Sequence, residues 1–98
     1  NITLTAPVGA VFTSIPFASY GTPNGSCGNY TFGGCHASNS SSIVSGLAIG
    51  QNNFSVGANN STFGDPCAFT AKHMYIEAVY NNTVFNCIKF SSISNNEF

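Results

Sequence analysis

The stretch His73-Met74-Tyr75-Ile76-Glu77-Ala78-Val79-Tyr80 decides the fold class. Met74, Ile76, Ala78 and Tyr80 alternate with His73, Tyr75, Glu77 and Val79, so an extended chain places the first set on one side of a strand and the second on the other. Asn81 and Asn82 come next. Asparagine tolerates positive φ, and the pair predicts a two-residue hairpin turn into a last strand over Thr83 to Phe90. Residues 91–98, rich in Ser and Asn, read as a loose tail.

Upstream, Ile2 and Leu4 alternate with Thr3 and Thr5 before Pro7 and Gly9, which predicts a short half-buried strand closed by a turn. Val11 to Ala18 predicts a second strand. Pro16 has no N–H to give to a ladder, which places that strand at a sheet edge or ends it in a bulge, and Gly21 breaks it. From Thr22 to Gly34 the chain is rich in Gly, Pro, Asn and Ser and reads as a loop held by Cys27 and Cys35. Ser40, Ser41 and Ser42 suit the cap of a short helix in which Ile43, Val44, Leu47 and Ala48 share a face, and Gly50 stops it. Phe54, Val56 and Ala58 alternate with Ser55 and Gly57 as a strand, and Asn59 to Pro66 carries turn chemistry. The expected fold is mainly β (α+β). Its 98 residues leave room for one core, so residues 1–98 are expected to form a single domain.

Charged side chains are only 5% of the chain, while hydrophobic residues reach 43% with nine Phe and four Tyr, so a core can be built but the surface lacks ions. The sequence N-x-Ser/Thr occurs at Asn1, Asn24, Asn29, Asn39, Asn53, Asn59, Asn60 and Asn81, and attached glycans would supply the missing polar surface. With no Arg, and with Lys72 and Lys89 facing Asp65, Glu77 and Glu97, no basic patch for nucleic acid can be assembled. No apolar run reaches membrane-spanning length. Four cysteines in a small, loop-rich chain favour two disulfides and a secreted, extracellular protein. A zinc site is not expected, because no C-x2-4-C pair is present and His36 and His73 lack partners at ligand spacing. No metal or other cofactor is implied.

Ala18-Ser19-Tyr20-Gly21-Thr22 resembles the ANYGR segment of the galactose/rhamnose-binding lectins first described from sea-urchin eggs, the SUEL-type family, and Phe63-Gly64-Asp65-Pro66-Cys67 matches its FGDPC segment. Thr70-Ala71-Lys72-His73-Met74 sits where the family has GT-x-KYL. The likeness covers residues 18–80 as a family-like core, followed by an extra C-terminal strand over 83–90 and the tail 91–98. It implies a compact antiparallel β-sandwich with one short helix, stapled here by two disulfides. The family usually has four bridges. This chain lacks the N-terminal cysteines, the pair near Ala48 and Phe54, and the one closing the last common strand. The family's pairing carries over to Cys35 with Cys67. Cys27 has lost its usual partner, and Cys87 in the added strand is expected to replace it.

By the same resemblance, Tyr20, Asp65, Thr70 and Lys72 are expected to bind carbohydrate. Their chemistry permits it: sugar recognition needs hydroxyl acceptors, donors and a flat apolar face. Other pocket elements depart from the family: Pro7 stands for a sugar-binding Glu, Thr22 for the Arg of ANYGR, and Phe69 for a Gly, with a ring able to fill the sugar's space. Losses of this kind, each about 1–3 kcal/mol, turn a micromolar site into a millimolar one. A structural reading of the same residues is that Asp65 caps its own turn, Lys72 pairs with it, and Tyr20 belongs to the core.

Catalysis is not expected, since glycoside hydrolysis uses two carboxyl groups held across a sugar and only three are available, Glu97 being in the tail. The expected function is a non-catalytic lectin-like module binding glycans or glycoproteins, weakly or with altered specificity. The alternative is a structural subunit of a glycosylated extracellular fibre or coat, assembling with copies of itself by edge-strand addition around Ile2-Thr3-Leu4.

Overall fold

The computed structural model describes residues 2–81 throughout and the backbone of 84–90. Among the described residues seven elements follow one another: β1 (Ile2–Thr5), β2 (Phe12–Gly21), α1 (Ser40–Ala48), β3 (Asn53–Val56), α2 (Asn60–Phe63), β4 (His73–Tyr80) and β5 (Val84–Phe90). They form a two-stranded sheet, β1-β3, and a three-stranded sheet in the order β2-β4-β5, with every pairing antiparallel. The chain is thus mainly strand with little helix.

The alternation in β4 does what the sequence pattern demands. Met74, Ile76 and Ala78 are fully buried on the inner face, and β2 sets Ala18 opposite Ile76 and Tyr20 opposite Met74 on that same face. Ile2 and Leu4 of β1 and Phe54 and Val56 of β3 belong to the same core cluster, so both sheets drain into one interior. At its centre the Phe12 ring meets Phe54 edge to face at 5.2 Å. Burial of each such large side chain stabilises by roughly 1.5–3 kcal/mol. β2 lies at the edge of its sheet, and its ladder to β4 is irregular between Phe12 and Ser14 and between Ser14 and Phe17, the span that holds Pro16. The strand nevertheless runs on to Gly21, beyond the expected end at Ala18.

The helix forms over the expected residues but turns a different face inward. Ser40, Val44 and Ala48 are buried, Ile43 is half-buried against the core, and Leu47 is exposed. Ser40 is no cap. Asn39 holds the N-cap position without a side-chain capping bond, while the Ser40 hydroxyl donates to Ala37 O at 2.6 Å and accepts the Tyr20 N–H at 3.0 Å. That pair of bonds satisfies two buried backbone groups where β2 meets the helix. The Asn59–Pro66 turn contains a four-residue helix, α2, capped by Asn59, whose Oδ1 accepts the Thr62 N–H at 2.9 Å.

Between β2 and α1, residues 22–36 fold back over the outer face of the β2-β4 sheet. Phe17 meets Tyr30 at 5.3 Å and Tyr30 meets Tyr75 at 5.0 Å, while Phe32 stacks on His36 at 3.9 Å. Glu77 is buried beneath this layer and accepts the Gly28 N–H at 3.2 Å. Gly21 allows the close return of the loop, since a Cβ there would stand 2.1 Å from Cys35 O. One disulfide, Cys35–Cys67, lies wholly among the described side chains. By closing a 32-residue separation, it stabilises by roughly 3–4 kcal/mol in the chain-entropy picture. The expected Cys27–Cys87 bridge falls on a side chain outside the described residues. Tyr80 pairs with Val84, so three residues and not the expected two separate β4 from β5, which starts at Val84 instead of Thr83; Asn81, at the start of the connection, has the positive φ of 51° that asparagine tolerates. Asn82, Thr83 and the tail 91–98 lie outside the described residues.

Candidate functional site

After α2, Gly64 at φ 80° lets the chain turn sharply into Asp65-Pro66-Cys67. The Asp65 carboxylate accepts the Cys67 N–H at 3.2 Å through Oδ1, which fixes the turn. The same oxygen takes the Lys72 ammonium at 2.9 Å, and Lys72 donates again to Thr70 O at 3.0 Å. One ammonium therefore ties both ends of the 65–72 loop, and the disulfide from Cys67 to Cys35 anchors its middle.

Exposure divides the labour within the pair. The Lys72 side chain is 0% exposed and that of Asp65 is 36% exposed. A buried ammonium is tolerated only where a counter-charge and a carbonyl replace its water, and Asp65 and Thr70 supply both. The Lys72 head is thus spent on holding the loop and is closed to a ligand. Asp65 is open. Both of its bonds fall on Oδ1, so among the described residues Oδ2 has no hydrogen-bond donor.

Asp65 lines a depression of about 290 Å³ whose walls are residues 36–39 and 63–66. Asn39 crosses between the walls, its Nδ2 donating to Phe63 O at 3.2 Å. His36 Nδ1 is hydrogen-bonded to the Ser19 hydroxyl at 2.8 Å. Burial holds the His36 pKa below its ordinary value, which favours the neutral ring. With Ser38 and Asn39 exposed beside Asp65, the depression presents acceptors and donors together.

Of the four residues expected to bind, the structure brings Asp65, Thr70 and Lys72 together and leaves Tyr20 apart. The Tyr20 ring is fully buried, stacked on Phe63 at 5.1 Å with its hydroxyl donating to Asn60 Oδ1 at 2.7 Å. It sits behind the wall of the depression. Phe69 is 94% exposed and is not among the residues that line the depression. The sequence reading weighed His36 for zinc and Asn39 for a glycan but placed neither, nor Ser38, beside Asp65, although a Ser-Asn pair directly before a helix marks backbone that stays at the surface. Asn24, Asn29, Asn39, Asn53 and Asn81 are exposed and Asn59 and Asn60 half-buried, while Asn1 lies outside the described residues. Among the described residues no three His, Cys, Asp or Glu side chains gather to hold a metal, and no helix is long and apolar enough to cross a membrane.

Residues 4–80 match the model of the D-galactoside/L-rhamnose binding SUEL lectin domain. The chain belongs to that family. It is also similar to named plant enzymes: 43% identical over 70 residues to beta-galactosidase 6 of Oryza sativa subsp. japonica, and 40% identical over 78 residues to beta-galactosidase 8 of Arabidopsis thaliana. These alignments cover 71% and 79% of this chain but only 8% and 9% of the relatives. The shared part is thus a small lectin segment within much longer proteins.

Proposed function

We propose that this SUEL lectin domain is a secreted, non-catalytic module that binds carbohydrate through Asp65, with an affinity in the millimolar range. The observation that carries the reading is the half-used carboxylate: Oδ1 is committed to Lys72 and the Cys67 N–H, while Oδ2 is left for a sugar hydroxyl at the edge of a polar depression. A charged acceptor gives the stronger class of hydrogen bond, and a lone one with few neighbours supports a dissociation constant near 1 mM, about −4 kcal/mol. Thr70 and Lys72 act by fixing Asp65, and Tyr20 by backing the wall.

The chain carries no hydrolytic centre of its own in this reading. Glycoside cleavage uses two carboxyl groups facing one bond, whereas Glu77 is buried under the 22–36 loop and bound to Gly28. The two sheets are read as the halves of a β-sandwich sharing one interior. A second bridge, Cys27–Cys87, fits the register, because Cys87 pairs with Glu77 and Glu77 holds the residue after Cys27. Oxidised cysteines and exposed sequons support export.

Titration with galactose and rhamnose, comparing the wild type with Asp65→Asn, tests the proposal. The variant keeps an oxygen for Lys72 and replaces the other with an NH₂ group. Binding is expected for the wild type and lost in the variant; equal binding by both, or none by the wild type, refutes the site.

A further inference from the structure

Asn24 is the asparagine of this chain that is followed by glycine. It stands exposed in the 22–36 loop, where an isolated bridge joins it to Thr31: the Asn24 N–H donates to Thr31 O and the Thr31 N–H to Asn24 O, each at 2.9 Å. Within that bridge the chain turns back, with the Asn29 N–H on Ser26 O at 2.7 Å. Gly25 is required there, since its φ is 99° and a Cβ would overlap the Asn29 carbonyl. The turn therefore imposes an Asn-Gly pair on the surface.

Two groups of that pair are unengaged. Among the described residues, neither the Gly25 N–H nor the Asn24 side-chain amide has a hydrogen-bond partner. Asn39 before Ser40 and Asn60 before Ser61 are tied down instead. Asn39 Nδ2 is bound to Phe63 O, the Ser40 N–H to Ala37 O, and Asn60 Oδ1 to the Tyr20 hydroxyl.

We propose that Asn24 is a site of spontaneous covalent modification, at which the side-chain amide is lost to the Gly25 nitrogen unless a glycan occupies it. The deprotonated Gly25 nitrogen attacks Asn24 Cγ. A new C–N bond closes a five-membered succinimide, and the side-chain nitrogen leaves as ammonia, which carries away the proton that Gly25 gave up. Water then opens the ring: attack at the side-chain carbonyl gives aspartate, and attack at the main-chain carbonyl gives isoaspartate. The attacking anion grows roughly tenfold per pH unit while the pH lies far below the pKa of the amide. Closure of the ring needs rotation about Asn24 ψ, which releases the bond from the Thr31 N–H, and an isolated bridge has no neighbouring rung to oppose that local opening. The product carries a new negative charge on a chain of formal net charge −1, and isoaspartate also inserts a main-chain carbon beside the Thr31 bridge. Asn24-Gly25-Ser26 is at the same time a sequon. A glycan occupies the nitrogen that must leave, so glycosylation and loss of the amide exclude one another at this residue.

The test incubates three preparations at about pH 7 and about pH 9: wild type from a host without N-glycosylation, wild type from a glycosylating host, and Ser26→Ala from the glycosylating host. Ser26→Ala removes the sequon and keeps Asn24-Gly25, and the turn uses the Ser26 main-chain carbonyl, not its hydroxyl. Peptide mapping by mass spectrometry, isoelectric focusing and enzymatic methylation of isoaspartate are the readouts. The unglycosylated wild type and Ser26→Ala are expected to lose the Asn24 amide, move to a more acidic focusing position and accumulate isoaspartate, faster at the higher pH. Asn39 and Asn60 are expected to keep their amides, as is Asn24 in the glycosylated wild type. If Asn24 keeps its amide in the unglycosylated protein, if Asn39 or Asn60 reacts as fast, or if no isoaspartate forms, the site is overturned. If the wild type from the glycosylating host carries no glycan at Asn24, or its glycosylated Asn24 reacts as fast as that of Ser26→Ala, protection by the glycan is overturned and the reaction stands.

Discussion

Replacing Asp65 with Ala and replacing Lys72 with Met should have very different effects on stability, although each breaks the same 2.9 Å ion pair. Asp65→Ala leaves a fully buried ammonium with only the Thr70 carbonyl. Removing one partner of a deeply buried pair costs about 3–5 kcal/mol. Since Asp65 is 36% exposed, water reaches that end of the pair and roughly half of this survives. The lost bond to the Cys67 N–H adds about 0.5–1 kcal/mol. The total is about 2–3.5 kcal/mol. Lys72→Met removes the charge that was expensive to bury, fills its stem with apolar volume, and leaves a carboxylate still bound to Cys67 and facing water. Its cost is about 0–1 kcal/mol, and the double variant should lie close to it. Urea unfolding at neutral pH with linear extrapolation measures all three, and an unchanged slope shows that the same surface is exposed. A Lys72→Met variant as unstable as Asp65→Ala would refute the claim that burial of the ammonium, and not the exposed charge, dominates this pair.

Ser40→Ala removes the buried hydroxyl that accepts the Tyr20 N–H, while the Ala37 carbonyl keeps the backbone N–H of residue 40 at 3.0 Å, so a loss of about 1–3 kcal/mol is expected in the same unfolding assay. His36 is held below its ordinary pKa of 6.5 by burial, so the unfolded chain takes up the proton first as pH falls. The contribution is intact above pH 6.5 and declines below it; urea midpoints between pH 8 and 5 should fall more for the wild type than for His36→Gln. Peptide mapping of protein expressed in a glycosylating host should find glycans at Asn24, Asn29 and Asn53. The same map should find Asn39, Asn59 and Asn60 bare, because their amides are bound to Phe63 O, the Thr62 N–H and the Tyr20 hydroxyl.

Strands were legible wherever one side of the chain faces the core, as in β1 and β4, because an alternating pattern has one meaning for an extended backbone. The helix was legible in extent but not in phase. Burial of Ser40 depends on two backbone groups arriving from β2 and from residue 37, which helical periodicity does not record. The short α2 hid among Asn, Ser and Thr, residues that serve caps and turns equally well. In the site, Asp65 and Lys72 were found through a motif, whereas the burial that closes Lys72 and Tyr20 to a ligand is a tertiary fact. That Phe69 stands 94% exposed on a backbone at φ 61° is likewise a tertiary fact.

The strand pairings carry a consequence for biosynthesis. β1 joins β3 from Ile2 to Val56, and β2 must wait for β4, with Phe12 matched to Tyr80. The ribosome therefore releases the inner face of β2 well before its partner exists. Until that partner emerges, Phe12, Ala18 and Tyr20 remain an adhesive edge for chaperones or neighbouring nascent chains, and acquisition of the native state is delayed until translation has passed β4.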